Sequence, residues 1–153
     1  MPHSDTLAAQ VRADPRWLPH AFDPVSGMLA FLQTPRARLS QTAFLADLGG
    51  EGGYEGAQLP LAALGTLTSP GNAPVTFIFH TAFCRSTLLV RALEQPGIST
   101  GLSEPGIIAG LAGAGASGQA AIGPVAGLLA RPWGTGEAVF IKPTNHANML
   151  APA

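Results

Sequence analysis

The sequence predicts an α/β protein built on a parallel sheet, and three observations carry that prediction. Short apolar blocks without alternation recur at Val75–Phe79, Ile98–Ser103 and Ala138–Ile141, as strands buried on both faces of a parallel sheet require. The first block passes through a polar turn, Thr81–Arg85, into a segment starting at Ser86, where Leu88, Leu89, Ala92 and Leu93 form one helical stripe that Pro96-Gly97 ends. The connection between the first two blocks is then long enough for a right-handed parallel crossover, with the three strands as neighbours.

Before that unit, Met1–Arg16 is polar, carries Pro2 and Pro15, and reads as a loose end with one helical turn at Leu7–Val11. The patches WLPHAF (Trp17–Phe22) and MLAFL (Met28–Leu32) flank the turn residues Asp23–Gly27, so short strands or a hairpin are expected to cover the main sheet. Arg36 and Arg38 alternate, as on an exposed strand edge. Phe44–Leu48 is a further short apolar piece, Gly49–Gly56 with its five glycines is a loop, and Leu59–Leu64 suits a helical turn. GTLTSPGNA (Gly65–Ala73) is turn chemistry throughout, which divides the chain into a lead-in, residues 1–70, and an α/β unit, residues 71–153.

Beyond the second strand, Gly106–Ala130 is uncharged and long enough to raise the question of a membrane span. Only seven of its residues are Ile, Leu or Val, against seven glycines and Pro124, so a weak, easily broken helix is expected and no membrane partner. Two short helices, Gly106–Leu111 and Val125–Ala130, joined by a flexible Gly/Ala/Ser segment, are predicted instead. Pro132–Gly136 is a turn that leads into the third strand and Lys142.

Composition narrows the function. With 46% hydrophobic and 11% charged residues in 153, the chain is one globular domain able to bury a core. A net charge of −1 and scattered basic residues lack the electrostatic footprint of a nucleic-acid binder. Cys84 is the single cysteine, so no internal disulfide forms, and with no secretory pattern in the first twenty residues the expected compartment is the cytoplasm.

In an open parallel sheet, ligands bind beyond the carboxyl ends of the strands. Here these ends deliver Thr81–Thr87, Glu104 and Lys142, the only lysine in the chain. A helix N-terminus with the Ser86 and Thr87 hydroxyls and the Arg85 cation is suited to a phosphate or sulfate. The pattern GxxxxGK[ST] fails, because His80, Arg85 and Ser86 stand at its Gly, Gly and Lys positions and only Thr87 matches. Alternatives stay open. Ser86 and Thr87 also suit a plain helix start, Glu104-Pro105 a helix N-terminus, and Lys142 a solvated strand end. Cys84 has no His/Asp partner pattern for a nucleophile, and His3, His20 and His146 lack metal-ligand spacing.

Taken whole, FIFHTAFCRSTLLVRAL, the following LSEP, and VFIKPTNHAN resemble the sulfotransferase family, specifically bacterial sulfotransferase-like proteins with a P-loop-related 5'-phosphosulfate loop. The resemblance implies a P-loop-type three-layer αβα fold, incomplete here because the chain corresponds to the N-terminal half of a family member. It implies 3'-phosphoadenosine 5'-phosphosulfate as donor, a small hydroxyl or amine acceptor, and no metal. The residues implied are Glu104 as general base, the loop Thr81, Cys84, Arg85, Ser86 and Thr87 as phosphosulfate binder, and Arg85 or Lys142 in place of a loop lysine. That lysine and a loop glycine are replaced here by Phe83 and Arg85, and a side chain at the glycine position predicts either a strained left-handed residue or a different loop path. A P-loop kinase or NTPase would need Mg²⁺ and a carboxylate; all four aspartates precede the loop, leaving Glu104 for that role. A binding module that keeps the fold without the chemistry is the third class.

Overall fold

In the computed structural model, which describes residues 2–49, 55–64 and 74–150, the chain opens on a full helix and not on a loose end: α1 spans Pro2–Ala13. Its Ala8 and Val11 are buried, and Pro2 lies in the first turn, where its missing N–H breaks no bond. The buried guanidinium of Arg131 holds the other end. It donates to the carbonyls of Val11, Arg12, Asp14, Trp17 and Leu128, satisfying acceptors that a helix C-terminus leaves open. Burial lowers its pKa to about 10, so it remains a cation at neutral pH.

The hairpin forms as expected, with β1 (Trp17–Asp23) antiparallel to β2 (Met28–Gln33). Its turn is fixed by the Asp23 carboxylate, which accepts from the Val25 N–H, and by Gly27 at φ 68°. A third strand, β3 (Gly56–Pro60), pairs with β2 where only a loop end and a helical turn were expected; Leu59 sits opposite Leu29, both fully buried. A 3₁₀ turn over Leu61–Leu64 follows. This sheet packs chiefly on α4 (Gly106–Gly113) and α5 (Gly115–Leu129), through β1. Arg36 and Arg38 do not lie on a strand edge either, since α2 (Ala37–Gln41) forms there to bury Leu39. The turn stretch at residues 65–73, and with it the division at residue 70, lies outside the described residues.

The parallel sheet is the one the apolar blocks predict. β4 (Val75–Phe77) and β5 (Ser99–Ser103) both pair in parallel with β6 (Ala138–Lys142), giving the order β4-β6-β5 with the last strand in the middle. Among the described residues β4 is therefore an edge strand, and its residues are partly or largely exposed, not buried on both faces. The first crossover helix, α3 (Ser86–Ala92), turns Ser86 and Val90 inward and leaves Leu88 and Leu89 exposed, so the predicted apolar stripe is not its packed face. Gly101 explains its close seat: a Cβ there would lie 2.3 Å from the Val90 carbonyl oxygen.

Gly106–Ala130 also departs from expectation. α4 (Gly106–Gly113) and α5 (Gly115–Leu129) fill it almost completely, and the segment expected to be flexible is the first half of α5. Close packing of the pair supplies what propensity withholds, because a Cβ on Gly118 would meet the Leu111 carbonyl oxygen at 2.1 Å. One apolar cluster then runs from Leu29 and Phe31, through Ile107, Leu111, Val125 and Leu129, to Leu102, Val139 and Ile141. No helix of the described residues is long and apolar enough to cross a membrane.

At the opposite end of the parallel sheet from its carboxyl termini, Arg36 donates to Glu94 at 2.8 Å and to both Glu137 oxygens at 2.7 and 2.8 Å. Glu137 also accepts from the Thr100 hydroxyl and the Gly97 N–H. Burial opposes its ionisation, yet these bonds outweigh burial and hold the carboxyl below its ordinary range.

Candidate functional site

At the carboxyl ends of the parallel strands lies an open cavity of about 460 Å³. β4 runs into a loop whose Ala82, Phe83, Cys84 and Arg85 line it, and Ser86 and Thr87 at the start of α3 line it too. The N–H groups of a first helical turn have no intrahelical acceptor. Phe83 and Arg85 both hold positive φ, 61° and 63°. Arg85 thus keeps the left-handed backbone that a glycine would take at little cost, which is the strained outcome the sequence predicts.

Glu104 and Lys142 line this cavity side by side as a contact ion pair. Lys142 is 1% exposed and Glu104 keeps 21% of its side chain open, so the lysine is no solvated strand end. Glu104 is not a helix cap either: α4 has no side-chain cap, and the carboxylate goes to the ammonium. Its backbone is held on both sides, the N–H donating to the Lys142 carbonyl at 2.7 Å and the carbonyl accepting from Ala46 at 3.0 Å. Those bonds keep it at φ 48° immediately before Pro105.

The remaining wall is His80, Asn145 and Phe44. His80 ties the loop to the end of β6, with Nε2 2.9 Å from the Pro143 carbonyl oxygen and Nδ1 3.0 Å from that of Thr81. The Asn148 amide donates to the His80 carbonyl at 2.8 Å. The Phe44 ring lies with its centroid 5.8 Å from the Lys142 ammonium, within range of a cation–π contact. Cys84 is exposed, and hydrogen bonds from the Ser86 hydroxyl and N–H, with the nearby His80, hold its thiol below the ordinary range.

Of the residues expected at the site, Glu104, Lys142, Cys84, Arg85, Ser86 and Thr87 come together in one cavity. Thr81 does not line it. Phe44 and Asn145 were missed: Phe44 sits in the lead-in ahead of the 3₁₀ turn Leu45–Asp47, with no spacing signal to link it to the loop or to Glu104 and Lys142 much later in the chain. Asn145 lies within the quoted VFIKPTNHAN, three residues past Lys142, and its position on the ligand edge was the available clue. Compared with protein-family models, curated proteins and solved structures, the chain matches none.

Proposed function

We propose that this cavity is a sulfuryl-transfer site on a P-loop-type α/β fold, with 3'-phosphoadenosine 5'-phosphosulfate as donor and a small hydroxyl or amine compound as acceptor. One observation carries the reading: Arg85 in a left-handed turn between a parallel strand and a helix, facing the paired Glu104 and Lys142 in the same cavity. The sequence resemblance to sulfotransferases supplies the chemistry, and the donor set fits it. Two hydroxyls, an arginine and a buried lysine surround a space suited to a doubly charged phosphosulfate group.

In this mechanism Glu104 accepts the proton of the acceptor O–H or N–H as the new bond to sulfur forms in line with the breaking S–O bond. Negative charge then collects on the departing phosphate. Lys142 and Arg85, with the Ser86 and Thr87 hydroxyls, meet that charge, and 3'-phosphoadenosine 5'-phosphate leaves. Phe83 stands fully exposed where the family has its loop lysine, and the ammonium of Lys142, which lines the same cavity, takes over that charge. The kinase reading is the poorer one because the loop lysine is missing and all four aspartates precede the loop, which leaves Glu104 as the one carboxylate lining the cavity among the described residues.

Calorimetric titration tests this. Binding of 3'-phosphoadenosine 5'-phosphate with weaker or no binding of ATP with Mg²⁺ supports the proposal; the reverse order overturns it, and no binding of either leaves the fold without this function.

A further inference from the structure

His80 ties the end of β4 to the end of β6 beyond the last backbone bond between them, Ile78 N–H to the Ile141 carbonyl. Its imidazole stands between two acceptors. Nε2 is 2.9 Å from the Pro143 carbonyl oxygen, and Nδ1 is 3.0 Å from that of Thr81. A carbonyl oxygen only accepts, so each contact is a hydrogen bond only when the ring nitrogen facing it carries a proton. A neutral imidazole has one proton for two nitrogens, and its lone pair would point at a carbonyl oxygen. The positively charged ring alone satisfies both partners, and it is the partners that assign the protons.

The loop has little else to hold it. Among the described residues the backbone of residues 81–84 makes no other hydrogen bond, although Phe83 and Arg85 keep a left-handed backbone that persists only under constraint. The His80 carbonyl accepts from the Asn148 amide of the 3₁₀ turn Asn145–Leu150, so the ring projects from a fixed backbone. It lines the cavity with Cys84 and Arg85 of the loop and with the Lys142–Glu104 pair, while the 3₁₀ turn carries His146. None of these bonds to the ring through a carboxylate, because Glu104 is taken by Lys142. We propose that His80 is a positioning residue, a proton-dependent clamp. Protonated on both ring nitrogens, it fixes the Thr81–Arg85 loop against β6 and adds positive charge to the cavity wall. Loss of one proton breaks one of the two ties and loosens the loop. The clamp itself stands apart from the function proposed above; its effect on a bound anion rests on that reading.

The test is NMR of the isotope-labelled whole chain between about pH 5.5 and about pH 8.5, the span in which imidazoles change charge. Long-range proton–nitrogen correlations read the protons on the His80 ring, and the amides of residues 81–85 report the loop. Two protonated ring nitrogens at the acidic end, and loop amides that shift with the same midpoint as the ring when the second proton leaves, support the proposal. A ring that titrates while the loop amides stay still overturns it, as does a single neutral tautomer throughout. Sulfate, whose charge is constant over this span, is then titrated at both ends in a Cys84→Ser background, which removes the titration of the thiol. Binding about tenfold weaker at the alkaline end, with that difference gone when His80→Gln is added, supports the clamp; a slope that survives His80→Gln overturns it. If His80→Gln does not fold, the joint titration of ring and loop decides. No sulfate binding at any pH, with ring and loop still titrating together, supports the clamp and counts against the proposed function alone.

Discussion

Arg85→Gly separates the strain of the loop from its charge. Arg85 holds φ at 63°, a left-handed conformation that costs a side-chain-bearing residue roughly 1–2 kcal/mol. Glycine removes that cost but loses about 0.5–1 kcal/mol to its greater freedom in the unfolded chain. The net change is a gain of about 0–1.5 kcal/mol, or up to about 5 °C in Tm for a chain of this size. The charge works in the other direction. A hydrogen bond to a charged ligand contributes about 1.5–3 kcal/mol, and because Arg85 is exposed the lower end applies, about a tenfold loss of affinity for 3'-phosphoadenosine 5'-phosphate. Phe83→Gly is the control, with the same backbone at φ 61° and no charge to lose, so it should match the stability change and leave affinity unmoved. Thermal unfolding and calorimetric titration of both variants are the assays. Destabilisation of Arg85→Gly by more than about 1 kcal/mol refutes the strain argument, and unchanged nucleotide affinity removes Arg85 from the site.

Arg36→Ala strands two carboxylates, Glu94 and Glu137, that are 3% and 1% exposed; breaking such a pair costs about 3–5 kcal/mol, measurable by urea unfolding. The pH dependence gives the sign. In the native protein Glu137 is held below the ordinary carboxylate range, so its stabilisation is present above the unfolded pKa and is lost as pH falls through the folded one. In Arg36→Ala burial acts without its cation, so the variant should recover stability as pH falls from neutral toward the unfolded carboxylate pKa, where the native protein holds steady; the same slope in both proteins would dismiss the network. On the proposed function, Glu104→Gln should abolish sulfuryl transfer while nucleotide affinity stays nearly intact, whereas Lys142→Ala should lower both, as expected for a charge that serves the bound donor and the transition state alike. Wild-type turnover in Glu104→Gln ends the assignment of the base.

How far the fold was legible depended on where the bonds that hold each element come from. The parallel strands and their order along the chain were readable because Val139, Ile141 and Leu102 are apolar for a local reason, burial between layers. That β6 sits between the other two was not, since register records pairing and not sequence. In α5 the spacing Gly118, Ala121, Val125, Leu128 and Leu129 is a helical stripe, but its small members read as breakers until the neighbouring helix that needs them is known. α1 and α2 were missed for the same reason at longer range: the stabilising partners are Arg131, more than a hundred residues away from α1, and the carboxylates Glu94 and Glu137. At the candidate site, the left-handed Arg85 followed from one missing glycine, whereas nothing in the sequence pointed to Phe44.

That missed residue changes how the two parts of the chain relate. Glu104 occupies an unfavourable backbone region before a proline, a conformation costing about 1–3 kcal/mol that persists only where surrounding bonds over-determine it. One of those bonds comes from Lys142, within the α/β unit. The other is the Ala46 N–H, and the adjacent Ser103 hydroxyl donates to the Ala43 carbonyl at 2.8 Å. Each such bond contributes about 1 kcal/mol, so the segment around Ala43–Ala46 supplies enough to offset the strain while Phe44 covers the buried ammonium. The lead-in is therefore part of the site's construction. It fixes the direction of the Glu104 carboxylate from the lead-in side while Lys142 fixes it from β6, and a parallel α/β unit alone would leave that carboxylate with half of its support.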